Sequence, residues 1–242
     1  MKRALLLSTV LLSTMLAAAQ QPAAAQQASD HAKAAHAKAA KPAPSADQVW
    51  TDLVAGNKRF VAGKQHTYGV VALRHKLASG QNPNVIILSC SDSRVSPELV
   101  FDQSLGDLFV VRTAGNVADP VALGSIEYAV DHIHSPLLVV MGHQQCGAVA
   151  AACSGEKMPT TNLDAIVDKI DPAVAKAKSS KPSDLIEAAV KENVHQSAND
   201  LLANSSVVRE AVKGGKLKIV EAEYELDSGK VVRLSEAAAP QN

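Results

Sequence analysis

The sequence predicts an α/β domain built on a central, mostly parallel β-sheet flanked by helices, with a C-terminal edge strand or hairpin. Three observations carry this. Short β-rich runs at 85–89, 108–112, 137–142 and 217–221 alternate with helical stretches near 46–62, 71–79, 120–133, 161–176 and 184–213, the pattern of strands joined by crossover helices. The run Leu137-Leu138-Val139-Val140-Met141 is apolar at every position, as a strand covered on both faces must be. The last stretch, 216–234, breaks at Asp227-Ser228-Gly229, a turn that returns the chain as an antiparallel partner.

Composition narrows the functional classes. A chain of 242 residues, 47% hydrophobic, suits one globular domain with appendages and excludes a disordered, collagenous or multi-pass membrane protein. With 24 basic against 24 acidic side chains, the chain lacks the charge that neutralises many phosphates, which excludes a general nucleic-acid binder. Three cysteines are too few for a disulfide scaffold. The count is also odd, so at least one sulfur has a role other than internal pairing.

The appendages lie at the start. Residues 1–19 read as a cleavable secretory leader: Lys2 and Arg3, a short apolar run, then Ala17-Ala18-Ala19, with an alternative cleavage point after Ala25. The apolar run is shorter than the roughly 20 residues a spanning helix needs, and no cysteine precedes Cys90 to carry a lipid. The expectation is a periplasmic protein without a membrane anchor. Residues 20–46 hold Ala, Gln, Lys, His and Pro and repeat His-Ala-Lys-Ala-Ala at 31–35 and 36–40. So few large apolar side chains cannot offset the entropy of ordering, so this reads as a tether with solvated histidines. Residues 47–242 form the folded domain.

In open parallel sheets, ligand sites gather beyond the carboxyl ends of the strands. Two strand ends here carry metal-capable groups: Cys90-Ser91-Asp92-Ser93-Arg94 after the first strand and His143-Gln144-Gln145-Cys146-Gly147 after the third. If a helix starts at His143, the three-residue spacing puts His143 and Cys146 on one face. Cys90 then supplies a third ligand, and two thiolates with one imidazole form a catalytic zinc set that leaves a fourth position open. In an extended loop Cys90, Asp92 and Arg94 share one side. Asp92 beside Arg94 is then a fixed, ionised acceptor for a proton from metal-bound water; without the metal the same pair is an ordinary loop salt bridge.

These segments, with Gly106-Asp107-Leu108-Phe109-Val110-Val111-Arg112-Thr113-Ala114-Gly115-Asn116, Asn57-Lys58-Arg59-Phe60 and Tyr224-Glu225-Leu226-Asp227-Ser228-Gly229-Lys230-Val231, together resemble the beta-class carbonic anhydrases. The resemblance implies Zn²⁺ held by Cys90, His143 and Cys146, with Asp92 and Arg94 as the catalytic dyad. It implies reversible hydration of carbon dioxide to bicarbonate by attack of zinc-bound hydroxide. It implies a substrate pocket that includes Gln81, Phe109, Ala114, Tyr128 and Gly147, with Phe109 serving the partner subunit of a homodimer or dimer of dimers. Ala114 stands where plant-type members often carry Val, which makes the pocket roomier. Some bacterial members use a Trp and a Gly, three residues and one residue before the first ligand, in a regulatory bicarbonate site; Ile87 and Ser89 stand there instead.

Other readings of the same residues differ in kind. A cysteine-nucleophile hydrolase built on Cys90, His143 and Asp92 leaves Cys146 and Arg94 without a role. A non-catalytic zinc-binding protein needs only the three ligands, and a related enzyme acting on another cumulene such as carbon disulfide shares the ligand set. Cys153 reads as a small buried hydrophobe. Its pairing with Cys146 is disfavoured by two helical turns, about 10 Å of rise. His132 and His134 read as residues at the entry to the third strand.

Overall fold

A computed structural model of the chain describes residues 44–237. The leader and almost all of the tether lie outside the described residues. The five strands are β1 (Val85–Cys90), β2 (Leu108–Thr113), β3 (Leu137–His143), β4 (Lys218–Tyr224) and β5 (Val231–Ala237). They form one sheet in the order β2-β1-β3-β4-β5, parallel throughout except for the antiparallel β4–β5 pair. This is the α/β architecture the sequence predicts, with its antiparallel edge strand reached through the 227–229 turn. Every residue of β1 and β3 is buried, which explains their continuous apolar runs.

The helices cover both faces. On one side, α1 (Ala46–Val61) packs Val49 and Leu53 against Val85, Ile87, Val139 and Met141. Its start is fixed by a capping box between Ser45 and Gln48, and Lys58 and Arg59 sit in its last turn beside the free carbonyls. On the other side, α7 (Leu185–Asn204) lays Val194, Ala198 and Leu201 against Ile86, Leu88, Leu138 and Val140. Between these lie α2 (Val70–Leu77), α3 (Pro97–Val100), α4 (Pro120–Tyr128), α5 (Gly147–Ser154), α6 (Thr161–Ser179) and α8 (Ser206–Lys213).

Two helical boundaries differ from the sequence reading for visible reasons. The stretch 120–133 is α-helical only to Tyr128, loosens into a π-turn over Ala129–Ile133, and ends at His134 in a left-handed conformation, φ 62°. The stretch 184–213 is two helices. Ser205 interrupts it by accepting the Val208 amide at 3.1 Å, capping α8, while its hydroxyl donates to Glu127 Oε1 at 2.6 Å. Helices α3 and α5, of 4 and 8 residues, are too short to leave a periodic signal. Among the described residues no helix is long and apolar enough to cross a membrane.

The chain runs from β1 outward to β2, then crosses back over β1 to β3 on its other side. That reversal opens a crevice at the carboxyl ends of β1 and β3, the place where open α/β sheets bind ligands.

Close approach of α1 to the 100–102 segment depends on a glycine. A Cβ on Gly56 would lie 1.8 Å from the Phe101 carbonyl oxygen. Next to it, Asn57 donates to the Val100 carbonyl at 3.0 Å and the Gly229 carbonyl at 2.9 Å, and accepts the Val231 amide at 2.9 Å. Gly56→Ala therefore pushes α1 off its seat; thermal unfolding should show a loss of about 1–3 kcal/mol, against no loss for Ala at exposed Gly80, where nothing crowds the site and the backbone is not left-handed.

Candidate metal centre

Cys90 is the last residue of β1 and His143 the last of β3. The register between these strands ends at Ser89↔Met141, which sets Cys90 opposite Gly142 and carries His143 one residue further, so both strands end at the crevice. Cys146 arrives differently from the helical spacing expected of it. The strand runs through His143; Gln144 then donates its amide to the Tyr224 carbonyl at 3.1 Å, and Gln145 turns left-handed at φ 53°. Cys146 is the N-cap of α5. A strand end and a tight turn, not a shared helix face, bring His143 and Cys146 together.

The ligand atoms of Cys90, His143 and Cys146 all lie within 4.8 Å of one another, and the two sulfurs are 4.0 Å apart. Two thiolates on one tetrahedral zinc, at Zn–S near 2.3 Å, stand roughly 3.8 Å apart. The residues are 6%, 0% and 1% exposed. His143 Nδ1 sits 2.8 Å from the Gln144 carbonyl, which fixes the proton on Nδ1 and leaves the Nε2 lone pair free, the arrangement of a metal-ligating imidazole. Among the described residues Nε2 has no hydrogen-bond partner, and a buried polar atom left so costs about 1–3 kcal/mol. A cation among the three donors removes that cost.

The sulfurs are prepared for charge. A hydrogen bond with Cys146 holds the Cys90 thiol well below its ordinary value against the effect of burial, helped by the neighbouring His143, the Gly115 amide and the Asp92 amide. Cys146 is pushed up by its hydrogen bond with Cys90, by burial and by the Cys90 charge. The Ala148 and Val149 amides at the start of α5 favour the Cys146 thiolate.

Asp92 and Arg94 meet as expected, through a turn and not an extended loop. The Val95 amide donates to the Asp92 carbonyl at 3.0 Å, and the Arg94 amide donates to Asp92 Oδ1 at 2.9 Å. The guanidinium grips the carboxylate with Nε to Oδ1 at 2.9 Å and Nη2 to Oδ2 at 2.7 Å. Arg94 therefore holds the Asp92 carboxyl well below the usual carboxylate range. Asp92 Oδ2 stands 3.9 Å from His143 Nε2, beside the donor cluster.

Two further residues build this corner. Arg112 on β2 donates Nε to the Cys90 carbonyl at 3.0 Å and Nη2 to the Asp92 carbonyl at 2.6 Å, tying down the loop. The Gly115 amide donates to Cys90 Sγ at 3.3 Å. Both stand in the 106–116 segment that carries the resemblance, but the sequence assigns neither a role, because their contacts run to backbone and sulfur atoms 20 to 25 residues away. The register Ser89↔Arg112 and Cys90↔Thr113 is what brings them in.

The remaining site residues divide into two groups. Ala114 follows β2 directly beside the cluster, and Gly147 opens α5 onto free space. Gln81, Phe109 and Tyr128 lie at the other end of the sheet. Gln81 precedes β1, whose five steps from Val85 to Cys90 span about 17 Å. Phe109 pairs with Ile86 near the start of β1 and stacks on Tyr128 at 6.2 Å between ring centroids. Tyr128 and Gln81 are exposed. Within one chain these three do not reach Cys90. All three cysteines are free, and Cys153 packs at the edge of the apolar cluster that includes Cys90 and Cys146.

Comparison with known proteins gives one answer. A family model described as carbonic anhydrase matches residues 85–231. A Mycobacterium tuberculosis protein named carbonic anhydrase 2 is 44% identical over 187 residues, covering 76% of this chain and 90% of that protein. A solved beta-carbonic anhydrase of Aspergillus fumigatus is 28% identical with a TM-score of 0.62, covering 80% of this chain and 92% of that one. A solved tetrameric beta-carbonic anhydrase from Sordaria macrospora, 24% identical, shares the fold with a TM-score of 0.64 over 79% of this chain and all of that one.

The donor geometry sets a clear expectation for metal binding. Titration of metal-free protein with Co²⁺ should give one tetrahedral, thiolate-ligated ion per chain by absorption. His143→Ala and Cys146→Ser should each weaken that binding by at least about 10-fold.

Proposed function

The chain belongs to the carbonic anhydrase family, in its beta class, and we propose that it hydrates carbon dioxide to bicarbonate at the Cys90–His143–Cys146 centre. The observation that carries this is the convergence of two buried sulfurs and one unpartnered imidazole nitrogen beside a carboxylate clamped by arginine. Zinc bound there would supply a Lewis acid that makes water nucleophilic near neutral pH.

The chain's own residues do the rest. Asp92, kept ionised by Arg94, accepts a proton-bearing group with one face of its carboxylate while the other face is occupied by the guanidinium. Because Arg94 holds both oxygens, the carboxylate cannot rotate away from the crevice. Arg112 fixes the backbone on either side of Ser91, so Cys90 and Asp92 keep their separation. The Gly147 amide, at the first position of α5, has no carbonyl partner within its own helix. It is free to donate to a substrate oxygen as charge develops there, and the absence of a side chain leaves the space beside it open. Ala114 adds a small apolar wall suited to a molecule as weakly polar as carbon dioxide.

The position of Gln81, Phe109 and Tyr128 at the far end of the sheet supports a composite site. Each pocket takes its donor cluster and Asp92 from one copy and these three side chains from a partner. A homodimer, or a tetramer as in the Sordaria macrospora enzyme, provides that arrangement. The leader pattern at 1–19 supports export to the periplasm, with cleavage releasing an unanchored enzyme.

Asp92→Asn should retain one zinc per chain and lose at least about 100-fold in stopped-flow carbon dioxide hydration. Retained turnover with bound zinc would contradict the role given to the carboxylate. Mixed oligomers of Gln81→Ala and Cys90→Ser chains should exceed the activity of either variant alone, because one pocket in each mixed pair is then complete. Activity that merely averages the two parents would contradict the composite pocket.

A further inference from the structure

The turn that follows β2 is an unusual support for a metal ligand. Gly115 and Asn116 are both left-handed, φ 68° and 47°. The Gly115 amide donates to Cys90 Sγ. Glycine is favoured at 115 by its left-handed φ, and a Cβ there would also press on Ala148 Cβ at 3.2 Å and Ile170 Cδ1 at 2.7 Å. Yet glycine is also the residue least able to hold its own dihedral angles. Something outside the turn must fix the direction of that amide.

Helix α7 supplies it. Asn193, 1% exposed, donates Nδ2 to the Gly115 carbonyl at 2.7 Å. One turn on, Ser197 Oγ donates to the Asn116 carbonyl at 3.0 Å and is in reach of Asn116 Nδ2 at 3.3 Å. The two carbonyls of the left-handed turn are thus held by two side chains on a helix anchored by Val194, Ala198 and Leu201 in the apolar layer. Asn193 is costly where it stands. Its Oδ1 has no hydrogen-bond partner among the described residues, and its neighbours on the same buried face are Ala189, Val190 and Val194. Burying an amide with half its capacity unmet opposes folding, so packing alone does not account for the residue.

We infer that Asn193, with Ser197 behind it, is a positioning residue: it aims the Gly115 amide at Cys90 and so sets the charge that this sulfur offers to the metal. The inference rests on the zinc reading above and deepens it, reaching from the ligand through the turn to a helix 103 residues further along the chain (193 minus 90). A hydrogen bond onto a thiolate stabilises its negative charge and moderates its donation to the metal.

The test uses the full chain with Co²⁺ and Zn²⁺ as probes. Asn193→Leu keeps the volume and removes the donor. It should shift the sulfur-to-cobalt charge-transfer band and weaken zinc in chelator competition by about 10-fold. Ser197→Ala should shift the band in the same direction to a smaller extent, and it carries the test should Asn193→Leu not fold. Leu201→Ala, fully buried on the same helix, serves as the stability control. It should lower the melting temperature of the metal-free protein without moving band or affinity. An unshifted band with unchanged zinc affinity in the folded polar variants overturns the inference while leaving the zinc reading intact, as does an equal shift in Leu201→Ala. A parent chain that binds neither metal overturns both.

Discussion

Parallel pairing of β1 with β3 is the constraint on which the rest depends. It carries the ends of both strands to the same edge of the sheet, with Cys90 opposite Gly142 and His143 one residue beyond, at the point where the chain reverses direction across the sheet. Cys90 and His143 occupy those ends, so backbone hydrogen bonds position the first two donors before any side chain is considered. Those strands are buried on both faces and cannot slide without turning their side chains to the wrong layer. The third donor then needs only the left-handed Gln145 turn and the start of α5 to arrive.

The centre is held by layers of decreasing rigidity. The sheet fixes Cys90 and His143, and Arg112 on the neighbouring strand fastens the loop that leaves Cys90. The Asp92–Arg94 turn closes on itself, so its geometry owes little to the distant fold. The Gly115–Asn116 turn, with two left-handed residues, is the part that α7 reinforces. The cost of gathering two sulfurs and a bare imidazole nitrogen in a dry corner is visible in the unpartnered Nε2 and in the opposed proton affinities of the two cysteines. A cation offsets both at once.

Much of this was legible in the sequence because it follows local rules. The apolar run at 137–141 identified a central strand, and chemistry-bearing residues directly after β1 and β3 identified the site. Asp92 and Arg94 were legible as a pair because they are two residues apart. What was not legible depends on register and on turns. His143 and Cys146 invited a helical reading from their spacing, although the structure places one in a strand and the other at a cap. Ser205 looks like any polar residue within a long helical stretch until its capping bond is seen. Arg112 and Asn193 act through backbone atoms far away in sequence, which no motif encodes. Gln81, Phe109 and Tyr128 came from family resemblance, and the single chain sets them at the opposite end of the sheet.

Under the proposed function, hydration of carbon dioxide depends on the metal held by Cys90, His143 and Cys146. Zinc should be titrated into chelator-stripped full chain while stopped-flow hydration is followed. Activity should rise in proportion to bound zinc and stop rising at one ion per chain. Hydration by the stripped protein, or a fully zinc-loaded chain that does not hydrate carbon dioxide, would contradict the account.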